Sequence, residues 1–223
     1  ITFILKRKIG SKISKIATAR KKTIAVRIPK HKVARNLLKI LKVPLAAPSA
    51  NIASKLSPTN AKDVVDEFGN KIKFILDGGQ CEIGLESTII DLTVKPTILR
   101  PGSISAEKIE KILKKKITIN NNPKKIKGPG QLKLHYSPGI PVIMNRKYPK
   151  KNQAFVGFGK KFKHGKNKFN LSKNGSLKEA ANNLYKIMRK IKKRNFKSIA
   201  VTQIPDIELG RAINDRLIKA SNK

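Results

Sequence analysis

Between residues 1 and about 118, short apolar runs rich in β-branched side chains take turns with stretches of helical periodicity. The runs are "TFILKRK", "TIAVRIP", "PLAAPSAN", "KIKFILDGG", "ESTIIDLTV" and "TILRPG"; the helical stretches are "HKVARNLLKILK", "TNAKDVVDEFG" and "SAEKIEKILKK". Such an alternation describes an α/β domain. Helix ends are well marked. Ser105 is a candidate N-cap, followed by acids early and lysines late, as the helix dipole favours. "SPTNAKDVVDEF" starts with Pro58 and stops at Gly69.

From about 119 to 140 the pattern breaks into "INNNPKKIKGPGQLKLHYSPGIP", dense in Asn, Pro, Gly and Lys, which reads as a linker. Residues 141–223 then form a second, smaller α/β unit: "PVIMN", "QAFVGFG", the helix "SLKEAANNLYKIMRKIKKRN", the strand "SIAVTQIP" and the helix "LGRAINDRLIKAS". The Lys-rich interval 147–173 reads as solvated loop, and there is no internal repeat.

Composition narrows the classes further. A chain of 223 residues that is 39% hydrophobic can bury a core, which argues against disorder throughout. No apolar stretch approaches the roughly 20 residues of a membrane span, and "ITFILKRK" is too short for a signal sequence, so a cytoplasmic protein is expected. The opening "ITFIL" starts inside an apolar run without Met and reads as a fragment lacking its N-terminal part. A lone Cys81 excludes an intrachain disulfide and is expected to be a small, partly buried residue; His31, His135 and His164 are far apart, so a protein-bound metal is not expected. Lys plus Arg number 51 against 13 Asp plus Glu, a formal charge of +38 that would attract any polyanion. The excess is mostly Lys, alongside abundant Ile and Asn, as AT-rich codons produce. A surface built for phosphates would favour the forked guanidinium of Arg. The charge therefore permits RNA contact without establishing it.

The chemistry concentrates in a few turns. "PLAAPSAN" reads as an apolar strand ending in a turn, where Ala46, Ala47 and Ala50 let backbone approach a ligand, Pro48 stiffens the turn, and Ser49 and Asn51 supply a hydroxyl and an amide. In "DGGQCEIGLESTIIDL" two glycines turn the chain and Ser87 and Thr88 open a β-branched strand. Arg100 ends an apolar strand directly before Pro101, and Arg27 leaves another apolar strand two residues before Pro29, positions that suit an anionic substrate. Asp77, Glu86 and Asp91 lie in turns and strands without an evident partner, and no Ser-His-Asp set, carboxylate pair or P-loop can be drawn. A site that binds and positions remains, favouring an ATP-consuming reaction with magnesium on the phosphates.

In that order, "KRKI", "TIAVRIPKH", "PLAAPSANIASKLSPT", "KFILDGGQCEIGLESTIIDL" and "ILRPGSIS" resemble the YrdC-like domain of the threonylcarbamoyl-AMP synthase family. "GPGQLKLHYSPGIPV" and "VTQIPDIELGRAINDRLIKAS" resemble the linker and C-terminal domain of its long, two-domain form. The resemblance implies a partial YrdC-like twisted-sheet domain over 1–118, a linker over 119–140 and a smaller, Rossmann-like α/β domain over 141–223. It further implies condensation of L-threonine, bicarbonate and ATP into threonylcarbamoyl-adenylate and pyrophosphate. A transfer machinery would then pass the product to tRNAs reading ANN codons.

Carried over by motif, Arg27 would hold the threonine carboxylate, with Thr23 near the nucleotide. Ala47 and Ser49 would line the junction between threonine and ATP, Ser57 would reach the nucleotide, Ser87 the threonine side, and Arg100 the ATP phosphates. Tyr136 of "HYSP" would close over the nucleotide from the linker, and Asn51 and Thr88 are additional candidates. Two departures stand out: read from its opening residues, the chain is expected to lack the family's N-terminal segment, and Ala53-Ser54 occupies a position where the family usually shows Ser-Gly. The alternative is a non-catalytic, basic module that binds double-stranded RNA or tRNA. A hydrogenase-maturation carbamoyltransferase would need acylphosphatase and zinc-finger segments that this sequence lacks.

Overall fold

The computed structural model describes residues 1–120, 128, 130–132, 134–162 and 165–222. It is a mixed α/β structure with two sheets, and the chain divides into two compact units that do not follow chain order. The first consists of Ile1–Pro48 and Ser87–Gln131, the second of Ser49–Glu86 and Leu132–Lys223. The expected linker falls partly on residues 121–127, 129 and 133, and His164 also lies outside the described residues.

The first unit holds a five-stranded sheet made of β1 (Thr2–Lys6), β2 (Thr23–Val26), β3 (Ile89–Asp91), β4 (Thr97–Arg100) and β5 (Thr118–Ile119), in the order β2-β1-β3-β4-β5. β1 runs parallel to β3, whereas β2 and β4 run antiparallel to their partners. Successive strand side chains face opposite sides, and the core divides accordingly. Ile4, Ile89 and Leu99 pack on one side, while Ile90 and Ile98 pack with Ala106, Ile109 and Ile117 on the other. The latter set is covered by helix α3 (Ala106–Leu113), whose N-cap Ser105 accepts the Lys108 amide, as the sequence pattern predicts. Helix α1 (Lys32–Leu41) forms where expected.

The second unit is built on a parallel sheet of β6 (Val142–Ile143), β7 (Gln153–Gly157), β8 (Lys168–Asn170) and β9 (Ser198–Val201), ordered β6-β9-β7-β8. Its strands are almost wholly buried, as parallel sheets usually are. Helices α4 (Leu177–Lys192) and α5 (Glu208–Ser221) supply Leu184, Met188, Ile191, Ile213 and Leu217 to this core. Helix α2 (Ala61–Phe68) belongs to the same unit.

Several expectations are corrected. "PLAAPSAN" is an exposed, irregular segment rather than a strand, because Pro44 and Pro48 lack the amide protons a ladder needs. "KIKFILDGG" pairs with no described strand and leaves Phe74 exposed, and an unpaired run has no neighbour for its backbone groups. Helix α2 begins at Ala61 rather than near Pro58, since the Asn60 side chain caps it by accepting the Asp63 amide at 2.8 Å. The Lys-rich interval is not all loop: β8 runs through it, and Phe169 and Leu171 are buried between the lysines. Cys81 is exposed.

Candidate functional site

In the first unit, strand direction organises the candidate residues. Because β2 and β4 both run against β1 and β3, their C-terminal arginines, Arg27 and Arg100, emerge at the same end of the sheet. Three strand spacings separate β2 from β4, about 14 Å between backbones. Between them lie the N-terminal ends of β1 and β3, where the hydroxyls of Thr2 and Ser87 are 2.7 Å apart. Thr23 starts β2 opposite Lys6, four residues from Arg27, and so sits toward the other end of the strand.

The two arginines differ in kind. Arg27 is exposed. Arg100 is 6% exposed, and its Nε and Nη2 donate to the Ser87 carbonyl at 3.2 and 2.8 Å, with Nη2 also 3.3 Å from the Ser87 hydroxyl. No described carboxylate forms an ion pair with it. A buried guanidinium braced on a neutral carbonyl keeps its charge available for an anion. Thr88 is committed elsewhere: its hydroxyl donates to the Ile104 carbonyl at 2.6 Å and accepts the Ile104 amide at 3.1 Å, latching the approach to α3. Ala47 lies in the exposed irregular segment.

In the second unit, Ser49 is exposed, and Asn51 donates its amide to the carbonyls of Ile52 and Lys55 at 2.8 and 3.1 Å, closing the turn that follows. Ser54 has φ of 65°, a left-handed conformation that Gly adopts without strain. The Ser54 carbonyl accepts the Ser137 amide at 2.7 Å and thereby holds the residue after Tyr136. Ser57 is buried and donates to Glu86 at 2.6 Å. Tyr136 is 1% exposed, stacked at 6.1 Å on Tyr185, with the Arg216 guanidinium 4.9 Å from its ring centre.

Glu86, expected to be partnerless, is the centre of this arrangement. It accepts from Ser57, from the Tyr185 hydroxyl at 3.0 Å and from Arg216 Nε at 2.9 Å. Arg216 also pairs with Asp215 at 2.6 Å, and Lys219 bridges the other Asp215 oxygen at 2.7 Å. Burial and the adjacent Glu86 carboxylate push the Tyr185 phenol well above its ordinary range. Burial opposes the Arg216 charge, but Tyr136, Glu86, Tyr185 and Asp215 outweigh it and hold the guanidinium protonated. Asp77 turns onto the Gly79 amide and Asp91 holds the amide and hydroxyl of Thr93, so these acids too have partners.

The charge pattern marks the acidic side of this network, not its partners. Six of the 13 acids of this very basic chain fall within residues 49–86. Asp63 and Glu67 face Arg189 on α4, and Asp66 faces Lys193. Gly84 comes so close to α4 that a Cβ there would lie 2.9 Å from the Asn182 backbone.

Comparison with known proteins agrees with the resemblance along the whole chain. Residues 1–102 match the Sua5, YciO and YrdC family, described as telomere recombination, and residues 104–222 match the C-terminal domain of threonylcarbamoyl-AMP synthase. The chain is 34% identical to the threonylcarbamoyl-AMP synthase of Pyrococcus abyssi over 94% of its own length and 67% of that protein. The chain belongs to the threonylcarbamoyl-AMP synthase family. The Bacillus subtilis threonylcarbamoyl-AMP synthase is 30% identical, covering 94% of this chain and 66% of that one. The crystal structure of P. abyssi Sua5 complexed with L-threonine has a TM-score of 0.87 at 33% identity, covering 99% of this chain and 69% of that chain. The chain thus spans about two thirds of the length of these threonylcarbamoyl-AMP synthases. These names favour the enzyme over the non-catalytic RNA-binding module. No described helix is long and apolar enough to cross a membrane.

Proposed function

We propose that the protein carrying this chain is an L-threonylcarbamoyladenylate synthase, forming threonylcarbamoyl-AMP and pyrophosphate from L-threonine, bicarbonate and ATP. The observation that carries the reading is the pair of arginines, Arg27 and Arg100, at one end of the first sheet, with the hydroxyls of Thr2 and Ser87 between them. A substrate set with an amino-acid carboxylate at one end and phosphates at the other needs two cationic holds separated by neutral polar groups. Arg27, exposed, is suited to the threonine carboxylate; Arg100, braced by Ser87, is suited to the ATP phosphates.

In chemical terms, the threonine amine joins the carbon of bicarbonate with loss of water, and a carbamate oxygen displaces pyrophosphate from the α-phosphorus. Each step brings anions together, so fixed cations and alignment would supply much of the acceleration. By the resemblance, Ala47 would join Arg27 and Ser87 as a threonine contact, Thr23, Ser49, Ser57 and Tyr136 would be nucleotide contacts beside Arg100, and Asn51 and Thr88 are additional candidates. Among the described residues no group of three or more His, Cys, Asp or Glu could hold a metal, so the magnesium would come with ATP, carried on its phosphates. The product would pass to a transfer machinery acting on tRNAs reading ANN codons in the cytoplasm, and the positive charge would favour tRNA contact.

The test is pyrophosphate release by the complete gene product, with and without L-threonine and bicarbonate. Release that requires both co-substrates supports the synthase. Salt-sensitive RNA binding without such release would overturn it.

A further inference from the structure

We infer that Glu86 and Arg216 are positioning residues for nucleotide contacts, orienting the Ser57 hydroxyl and the Tyr136 ring through one ion pair. This inference rests on the synthase reading given above. Ser57 Oγ at 2.6 Å, the Tyr185 hydroxyl at 3.0 Å and Arg216 Nε at 2.9 Å all donate to the Glu86 carboxylate. The Arg216 guanidinium in turn lies 4.9 Å from the centre of the Tyr136 ring.

The residues flanking Tyr136 are pinned as well. The His135 amide donates to the Lys219 carbonyl at 3.2 Å, and the Ser137 amide to the Ser54 carbonyl at 2.7 Å. Helix α5 therefore holds one side of this tripeptide, and the 51–57 turn holds the other.

In this cluster the carboxylates of Glu86 and Asp215 meet the cations of Arg216 and Lys219. A buried ion network of this kind brings little net stability over apolar packing of the same shape, but it fixes direction. That direction has a chemical consequence at Ser57. An ionised carboxylate only accepts, so the Ser57 proton is committed to Glu86 and the serine oxygen retains lone pairs alone for a ligand. Ser57 can then meet a donor such as a ribose hydroxyl or the adenine amine. It cannot meet a phosphate oxygen, which also only accepts.

The experiment compares the complete gene product with its Glu86→Gln and Asp63→Asn variants. Asp63 serves as the control: it also ties residues 49–86 to α4, through Arg189 at 3.5 Å, and its hydrogen bonds run to Thr59 and Asn60 rather than to Ser57 or Tyr136. Two probes are titrated by calorimetry, ATP and inorganic triphosphate, the second having no base or ribose. We expect Glu86→Gln to weaken ATP about tenfold, leave triphosphate unchanged and leave the affinity for L-threonine unchanged, while Asp63→Asn binds both phosphates as the parent does. Equal losses for ATP and triphosphate, equal losses in the two variants, or no loss in Glu86→Gln would each overturn the inference.

A second measurement keeps it falsifiable if the parent binds no nucleotide, which would count against the synthase reading itself. This measurement is made on the 223-residue chain, where a Tyr148→Phe change leaves Tyr136 and Tyr185 as the tyrosines and there is no Trp. Acrylamide quenching of tyrosine emission should then rise in Glu86→Gln and stay at the parent value in Asp63→Asn. Equal quenching in the two variants would refute the positioning role.

Discussion

The guanidinium of Arg216, 1% exposed, lies 4.9 Å from the centre of the Tyr136 ring while its Nε holds the Glu86 carboxylate at 2.9 Å. One side chain of α5 thus connects an aromatic residue near position 136 with an acid fifty residues earlier in the chain. Removing either partner has consequences beyond the contact itself. Arg216→Ala would take from the half-buried Glu86 and the buried Asp215 the cation they share, and should cost about 3–5 kcal/mol. Urea unfolding followed by circular dichroism reads this directly.

Tyr136→Ala should also destabilise, by about 3–5 kcal/mol, because the ring is part of the second unit's core. Since the two side chains touch, the double variant should lose less than the two single losses added together. Strict additivity in the same unfolding series would mean that the ring and the guanidinium do not interact.

Arg100→Ala should weaken ATP binding by about 1.5–3 kcal/mol, the scale of a charge-assisted hydrogen bond. Its guanidinium braces on Ser87 and pairs with no described acid, so no buried carboxylate is stranded by the change. Isothermal titration with ATP is the measurement, and an unchanged dissociation constant would remove Arg100 from the nucleotide site.

Ser54 adopts φ of 65°, a region that penalises any side chain with a Cβ. Ser54→Gly should therefore raise stability by roughly 1 kcal/mol, less the extra entropy that Gly gains in the unfolded chain. Thermal unfolding should show a higher midpoint with the Ser137 amide still protected from hydrogen exchange by the residue 54 carbonyl.

The Glu110 carboxylate is held below the usual Glu value, chiefly by the Ile117 amide at 3.0 Å, with Lys116 adding to it. A depressed folded-state value means that this contribution is fully present above about pH 4.3 and fades as pH falls through the lowered value. Glu110→Gln should thus be less stable than the parent at neutral pH, with the difference closing under acid conditions. A difference that stays constant from pH 7 to pH 2 would show that the carboxylate charge is not involved.

Much of this architecture could be read directly from residue order. Alternating apolar and helical runs specified an α/β chain, and local rules placed α1, α3, α4 and α5, since caps, periodicity and dipole-matched charges act within a few residues. The motifs around Arg27, Ser87 and Arg100 were legible too, because an arginine ending an apolar strand ahead of Pro is a local pattern. Tertiary structure alone decided that the two arginines share one end of a sheet, for that depends on β2 and β4 both running antiparallel to their neighbours. It also decided the partners of Glu86. Its partners 99 and 130 positions away, Tyr185 and Arg216, are marked by no local pattern. Whether a charge can be buried depends on which opposite charges folding delivers to it, and that is a property of the packed chain rather than of its order.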